Sequence, residues 1–122
     1  MATHQFTDSA RAGSALAVTG LTVLRDQHVR IGFTGEIDMA TADSVLTAVT
    51  EAVRRHTPQQ IDVDLASVAF MASSGIAALL RCQAYATECG CRLVVTNPQP
   101  MVYEIIRVTG LLHAFGVGEA RR

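Results

Sequence analysis

The sequence contains no lysine, and its ten basic residues are all arginine. That absence excludes a phosphate-loop lysine, a Schiff-base lysine and a catalytic lysine pair. Charge is scarce as well. Charged residues make up 17% of the chain and the net charge is -1, so no basic field exists to draw in nucleic acid or an anionic membrane surface. No apolar run approaches the roughly 18 residues of a membrane span, and the polar stretch from Met1 to Ser14 has no apolar core suited to export. Cysteines are few and odd in number. Cys82, Cys89 and Cys91 do not suit a secreted disulfide framework, and Cys89-Gly90-Cys91 lacks the two-residue gap of a redox or zinc pair. They are expected to be small buried thiols in a soluble, cytoplasmic protein. Glycine-rich phosphate loops are missing, and Glu36 with Asp38 offers two carboxylates but no third ligand. No cofactor, metal site or catalytic residue is expected.

What is there suits one domain. With 122 residues, 49% of them hydrophobic, the chain can bury a core without disulfides or metal. Leu16, Val18, Leu21, Val23 and Leu24 form a β-leaning region, and Asp26-Gln27-His28 interrupts it like a turn. Val29, Ile31 and Phe33 then alternate with polar or small residues, which predicts the second strand of a hairpin. Beyond Gly35-Glu36-Ile37-Asp38 the period changes. Ala42, Val45, Leu46, Val49 and Val53 predict a helix, capped by Asp38 or Thr41 and ended by Thr57-Pro58. Ile61, Val63 and Leu65 predict a strand, followed by a short apolar stretch from Val68 to Met71. Ile76, Leu79, Leu80, Gln83 and Ala84 predict a second helix that stops at Glu88-Cys89-Gly90. Leu93 to Val95 reads as a strand buried on both faces, and Pro100 opens a last helix with Val102, Ile105, Ile106 and Thr109 inward. The order is hairpin, helix, strand, helix, strand, helix. It predicts an α/β fold with one small mixed sheet flanked by helices. The expected organisation is a flexible tail over 1–15, the domain over 16–117 and a short tail over 118–122.

The strongest local feature is Phe70-Met71-Ala72-Ser73-Ser74-Gly75-Ile76, two hydroxyls between a strand and a helix. A helix start leaves amide donors unpaired and carries partial positive charge, so it favours either a capping serine or a phosphorylated one. Both readings stand at this level. Gly75 removes a side chain and admits close approach by another backbone. A hydrolase elbow does not fit, because Met71 occupies the place of the first glycine in G-x-S-x-G. His4, His28, His56 and His113 are each isolated in the sequence.

Gly35-Glu36-Ile37-Asp38, the 70–76 stretch, Asn97-Pro98-Gln99-Pro100 and Thr109-Gly110-Leu111 together resemble the STAS domain. In particular they resemble the single-domain bacterial anti-sigma factor antagonists. The resemblance implies a small mixed sheet flanked by helices and a binding protein rather than an enzyme. It implies a partner anti-sigma factor with serine kinase activity, which the antagonist binds so that a sigma factor is freed. Phosphorylation of Ser74, with Ser73 as the second candidate, would switch the antagonist off, and a phosphatase would reset it. The implied partner surface comprises Asp38, Met71, Ala72, Ser73, Ser74, Gly75 and Ile76. Ala72 departs from the aspartate usual in that family. The departure motivates an alternative, a STAS scaffold that uses no phosphoserine, such as a subunit of a lipid-transport ABC complex or of a signalling assembly.

Overall fold

Alternating apolar residues on three strands build one wall of the core. Val29, Ile31 and Phe33 from one strand, Ile61, Val63 and Leu65 from the next and Leu93 and Val95 from the last are all buried. The computed structural model describes residues 16–118 apart from Asp26. The expected tail over 1–15 and residues 119–122 lie outside the described residues. The elements are β1 (Leu16–Arg25), β2 (His28–Ile37), α1 (Ala42–His56), β3 (Gln60–Met71), α2 (Ser73–Glu88), β4 (Arg92–Thr96) and α3 (Pro100–Val108). Among the described residues they form a four-stranded sheet in the order β1-β2-β3-β4. β1 and β2 pair antiparallel, whereas β2 with β3 and β3 with β4 pair parallel. The sheet is mixed, as the order of patterns predicts.

Local chemistry explains the boundaries. α1 buries Val45, Ala48, Val49, Ala52 and Val53, and it ends where Thr57 takes a left-handed conformation and donates its N–H to the Val53 carbonyl. Pro58 then blocks any continuation. Pro100 opens α3, which buries Val102 and Ile106 and leaves Thr109 exposed. After α3 the chain returns along the edge of β4. Phe115 is fully buried there, and the Val95 amide donates to its carbonyl at 2.8 Å. On β3, Asp62 is buried but paired. His28 Nε2 lies 3.0 Å and Gln60 Nε2 2.9 Å from its Oδ1, which ties β2 to β3 where His28 and Gln60 stand in register.

Three expectations change. The strand ending at Leu65 and the separate apolar stretch are one strand of 12 residues. Register shifts against β2 between Gly32 and Thr34 and between Gly35 and Glu36 break simple alternation, so the inward residues run Leu65, Val68, Met71. The inner stripe of α2 is also rotated. Gly75, Ile76, Ala78, Leu79, Cys82 and Ala86 are buried, while Leu80 and Ala84 face outward. Gln83 reaches the Ala114 carbonyl at 2.6 Å. Finally, Cys82 and Cys91 are buried thiols, but Cys89 is exposed because it caps the C-terminus of α2.

Gly75 fixes how α2 meets the sheet. A Cβ at this position would lie 2.7 Å from Met71 Cγ, 2.8 Å from Ile37 Cγ2 and 3.1 Å from the Ile37 carbonyl oxygen. Replacing glycine by alanine inside a helix normally stabilises by about 1 kcal/mol. Here overpacking should outweigh that gain, because the obstructing groups are core atoms and backbone rather than flexible tips. Gly75→Ala is expected to lower stability by about 1–2 kcal/mol in urea unfolding, and an unchanged or higher midpoint would contradict the packing argument.

The thiols provide a second check. Burial pushes Cys82 up to about 12 and Cys91 up to about 11 from the ordinary 9.0, with the negative field of Cys89 adding to the effect at Cys91. Maleimide at neutral pH should therefore add once to the native chain, at Cys89, and three times after denaturation. The folded state keeps protons that the unfolded chain releases above about pH 9, so these thiols contribute stability below that pH. It is lost as pH rises from about 9 towards 12.

Candidate functional site

The parallel strands β2 and β3 end together, and both chains turn into helices at that end. Ile37 and Met71 are the last rung in register, and the Ala72 amide donates to the Ile37 carbonyl at 2.9 Å. From β2 the chain enters a tight turn at Asp38. Its Oδ1 accepts hydrogen bonds from the amides of Ala40 at 3.0 Å and Thr41 at 3.2 Å. The buried Thr41 hydroxyl donates to the Glu36 carbonyl at 2.8 Å and accepts from the Asp38 amide at 2.9 Å. Thr41, directly before α1, makes no side-chain capping bond. Asp38 caps the turn leading into the helix as expected, its Oδ1 accepting from the Ala40 and Thr41 amides and its carbonyl from the Ala42 amide at 2.8 Å. Thr41 braces that turn from below.

From β3 the chain enters α2 almost at once. Ala72 is the N-cap, extended at φ -89° and ψ 174°, and its methyl group can make no capping bond. Its carbonyl accepts from the amides of Gly75 at 2.8 Å and Ile76 at 3.3 Å. Ser73 and Ser74 are the first two helical residues, so the capping role expected for a serine at this helix start is not the observed one. Ser73 is exposed and Ser74 half-buried, and neither hydroxyl makes a hydrogen bond among the described residues. The first-turn amides of Ser73 and Ser74 are left without an intrahelical acceptor, and no acidic side chain lies in this turn. The arrangement can accept negative charge.

Site residues expected from the sequence divide into two groups. Asp38, Ala72, Ser73 and Ser74 come together at the surface, and Asp38 and Ala72 are half-buried. Met71, Gly75 and Ile76 belong to the core. Met71 has no exposed surface and Ile76 only 6%, so of the implied partner surface these two offer almost nothing to a partner. Met71 ends the inward run of β3, and Gly75 and Ile76 lie on the buried face of α2. Gly75 admits the chain's own Ile37, not a partner's backbone.

Apolar surface lies elsewhere on this end. Met39, in the turn after Asp38, is 84% exposed, and Phe70, in register with Glu36, is 38% exposed. Sequence reasoning missed Met39 and the bracing role of Thr41. The available signal was the Asp38-x-x-Thr41 spacing, in which a short carboxylate and a hydroxyl compete for local amides and hold the two residues between them in a turn. Among the described residues no group of three or more His, Cys, Asp or Glu side chains could hold a metal ion, and no helix is long and apolar enough to cross a membrane.

Comparison with known proteins fits this geometry. The family model described as Mlab, STAS domain, matches residues 21–117. An anti-sigma F factor antagonist of Paenibacillus polymyxa is 28% identical over 81 residues, which cover 66% of this chain and 69% of that protein. The crystal structure of an anti-sigma factor antagonist from Mycobacterium paratuberculosis superposes with a TM-score of 0.73 at 26% identity, covering 87% of each chain. The antagonist SpoIIAA in its unphosphorylated form gives a TM-score of 0.63 at 23% identity, over 75% of this chain and 79% of that one, a likeness of fold. Since the match to the family model takes in the whole of the sheet from Leu21 onward, all three helices and the closing segment, the chain belongs to the STAS domain family.

Proposed function

We propose that this protein is an anti-sigma factor antagonist, a binding protein that engages an anti-sigma factor with serine kinase activity and is released from it when Ser74 is phosphorylated. One observation carries the reading. Ser73 and Ser74 stand in the first turn of α2 with unbonded hydroxyls, beside the braced Asp38 turn, in a chain whose relatives include anti-sigma factor antagonists. Position in the motif favours Ser74, and exposure favours Ser73 as the second candidate.

The chemistry is sufficient for a switch. A phosphoserine carries about -1.5 to -2 charges at neutral pH. At this helix start it meets unpaired amides and the positive end of the helix dipole, so the fold tolerates it. In an interface the same dianion must be desolvated or faces partner carboxylates, at a cost of several kcal/mol. About 3 kcal/mol already corresponds to a hundredfold loss of affinity. The kinase supplies the catalytic groups, and this chain supplies only the acceptor hydroxyl and the surface.

The test uses each anti-sigma factor with serine kinase activity from the same organism, purified and incubated with the full chain and ATP. Intact mass and peptide mapping should give one phosphate on Ser74, and Ser74→Glu should weaken binding at least about a hundredfold. No binding and no phosphate with any member of the panel would overturn the reading. Ala72, which stands where the related antagonists are expected to carry an aspartate, favours a second reading, a scaffold subunit of a lipid-transport ABC complex that uses no phosphoserine. Recovery of a transporter ATPase, combined with a silent kinase panel, is the outcome that reading requires.

Ala72 has a consequence for stability under either reading. An aspartate in its extended N-cap conformation would accept from the unpaired first-turn amides. Ala72→Asp should raise stability by about 1 kcal/mol in urea unfolding. A lower midpoint would show that the carboxylate cannot reach them.

A further inference from the structure

We infer that Met39 is the apolar anchor of the partner interface, a knob that fills a hydrophobic pocket on the anti-sigma factor beside its phosphoryl-donor site. This inference rests on the reading above and names a second, separate contact for it. Isolated apolar side chains on a surface are ordinary, and exposure of 84% alone would carry nothing. What distinguishes Met39 is the rigidity of its base. The residue before it holds the two amides after it through Asp38 Oδ1, and the buried Thr41 hydroxyl clamps Glu36 and Asp38 from below. The backbone is fixed on both sides of a side chain that touches little of its own protein.

A fixed base lowers the ordering penalty of binding, and an unbranched thioether adapts to the pocket it enters. Position supports the role. Ile37 lies two residues before Met39 and is hydrogen-bonded to Ala72, two residues before Ser74. Chain connectivity therefore keeps Met39 and Ser74 within about 20 Å, inside the roughly 30 Å width of a footprint burying about 800 Å². Phe70, exposed and in register with Glu36, extends the apolar area at this end. Affinity would then come from Met39 and switching from Ser74, one by filling a pocket and the other by introducing charge.

The experiment measures binding of the full chain to the anti-sigma factor that the kinase panel identifies, by titration calorimetry. Met39→Asp should weaken binding about thirtyfold or more, while Met39→Leu, which retains the apolar volume, should stay within about threefold of wild type. Thermal midpoints of both variants should match wild type, since the side chain packs little on its own protein. If Met39→Asp binds within threefold while Ser74→Glu still abolishes binding, the anchor role is overturned and the antagonist reading stands. If wild type binds no member of the panel, both fall.

Discussion

The contact between the end of β2 and the first turn of α2 sets the geometry of the candidate site. The Ile37 carbonyl accepts the Ala72 amide, and a Cβ on Gly75 would approach that same oxygen to 3.1 Å. One carbonyl thus fixes both the last rung of the parallel pair and the depth at which α2 enters. Because α2 sits so close, it must turn Gly75 and Ile76 inward. Ser73 is then left exposed and Ser74 half-buried. A looser entry would need no glycine, but it would not hold the serines at a fixed distance from the Asp38 turn.

The same constraint explains why the turn after β2 carries so much hydrogen bonding. β2 has to stop at Ile37 for its carbonyl to be free for Ala72, so the chain must change direction within a few residues before α1 begins at Ala42. Asp38 and Thr41 supply the acceptors and donors that a strand partner no longer provides. A buried threonine hydroxyl that bridges two backbone groups is well satisfied, and its burial stiffens the loop instead of weakening it. Rigidity at this turn follows from how the strand ends, and it is then available for recognition.

Much of this fold is legible in the residues, and the limits have identifiable causes. Alternation in Val29-Ile31-Phe33 and Ile61-Val63-Leu65 marks the central strands because period two is a direct consequence of the pleat. Thr57-Pro58 marks the end of α1 through proline chemistry alone. Periodicity fails where register slips. The shifts opposite Ser67 and Phe70 leave Val68 and Met71 three residues apart on one face, which a period of two reads as a break. In α2 the apolar residues surround most of the helix, so Leu80 and Cys82 compete for the inner stripe, and only the approach at Gly75 decides between them. The serines and Asp38 stand out in the motif as candidates, although short polar residues at a strand-to-helix junction serve equally as caps and turn formers. Met39 does not stand out in the same way, because a methionine between a strand and an amphipathic helix reads as core unless the Asp38-x-x-Thr41 spacing is taken as a turn.

The scarcity of charge in the chain suggests that any added phosphate would act on the protein as a whole, but screening argues otherwise. At physiological ionic strength the Debye length is about 8 Å, so a dianion at α2 is felt mainly within its own footprint. The first-turn amides lie in that range, and Asp38 follows Ile37, whose carbonyl the Ala72 amide meets at 2.9 Å. The net charge of -1 therefore matters less than the local inventory. With Ala72 at the N-cap, that inventory contains one carboxylate fewer than an aspartate-capped start would have. The surface carries Asp38 and is apolar at Met39, and a phosphate added at Ser74 would change it by nearly its full charge. A partner that buries this surface would meet a larger contrast than at an aspartate-capped start, because Asp38 is left without a second carboxylate at the cap.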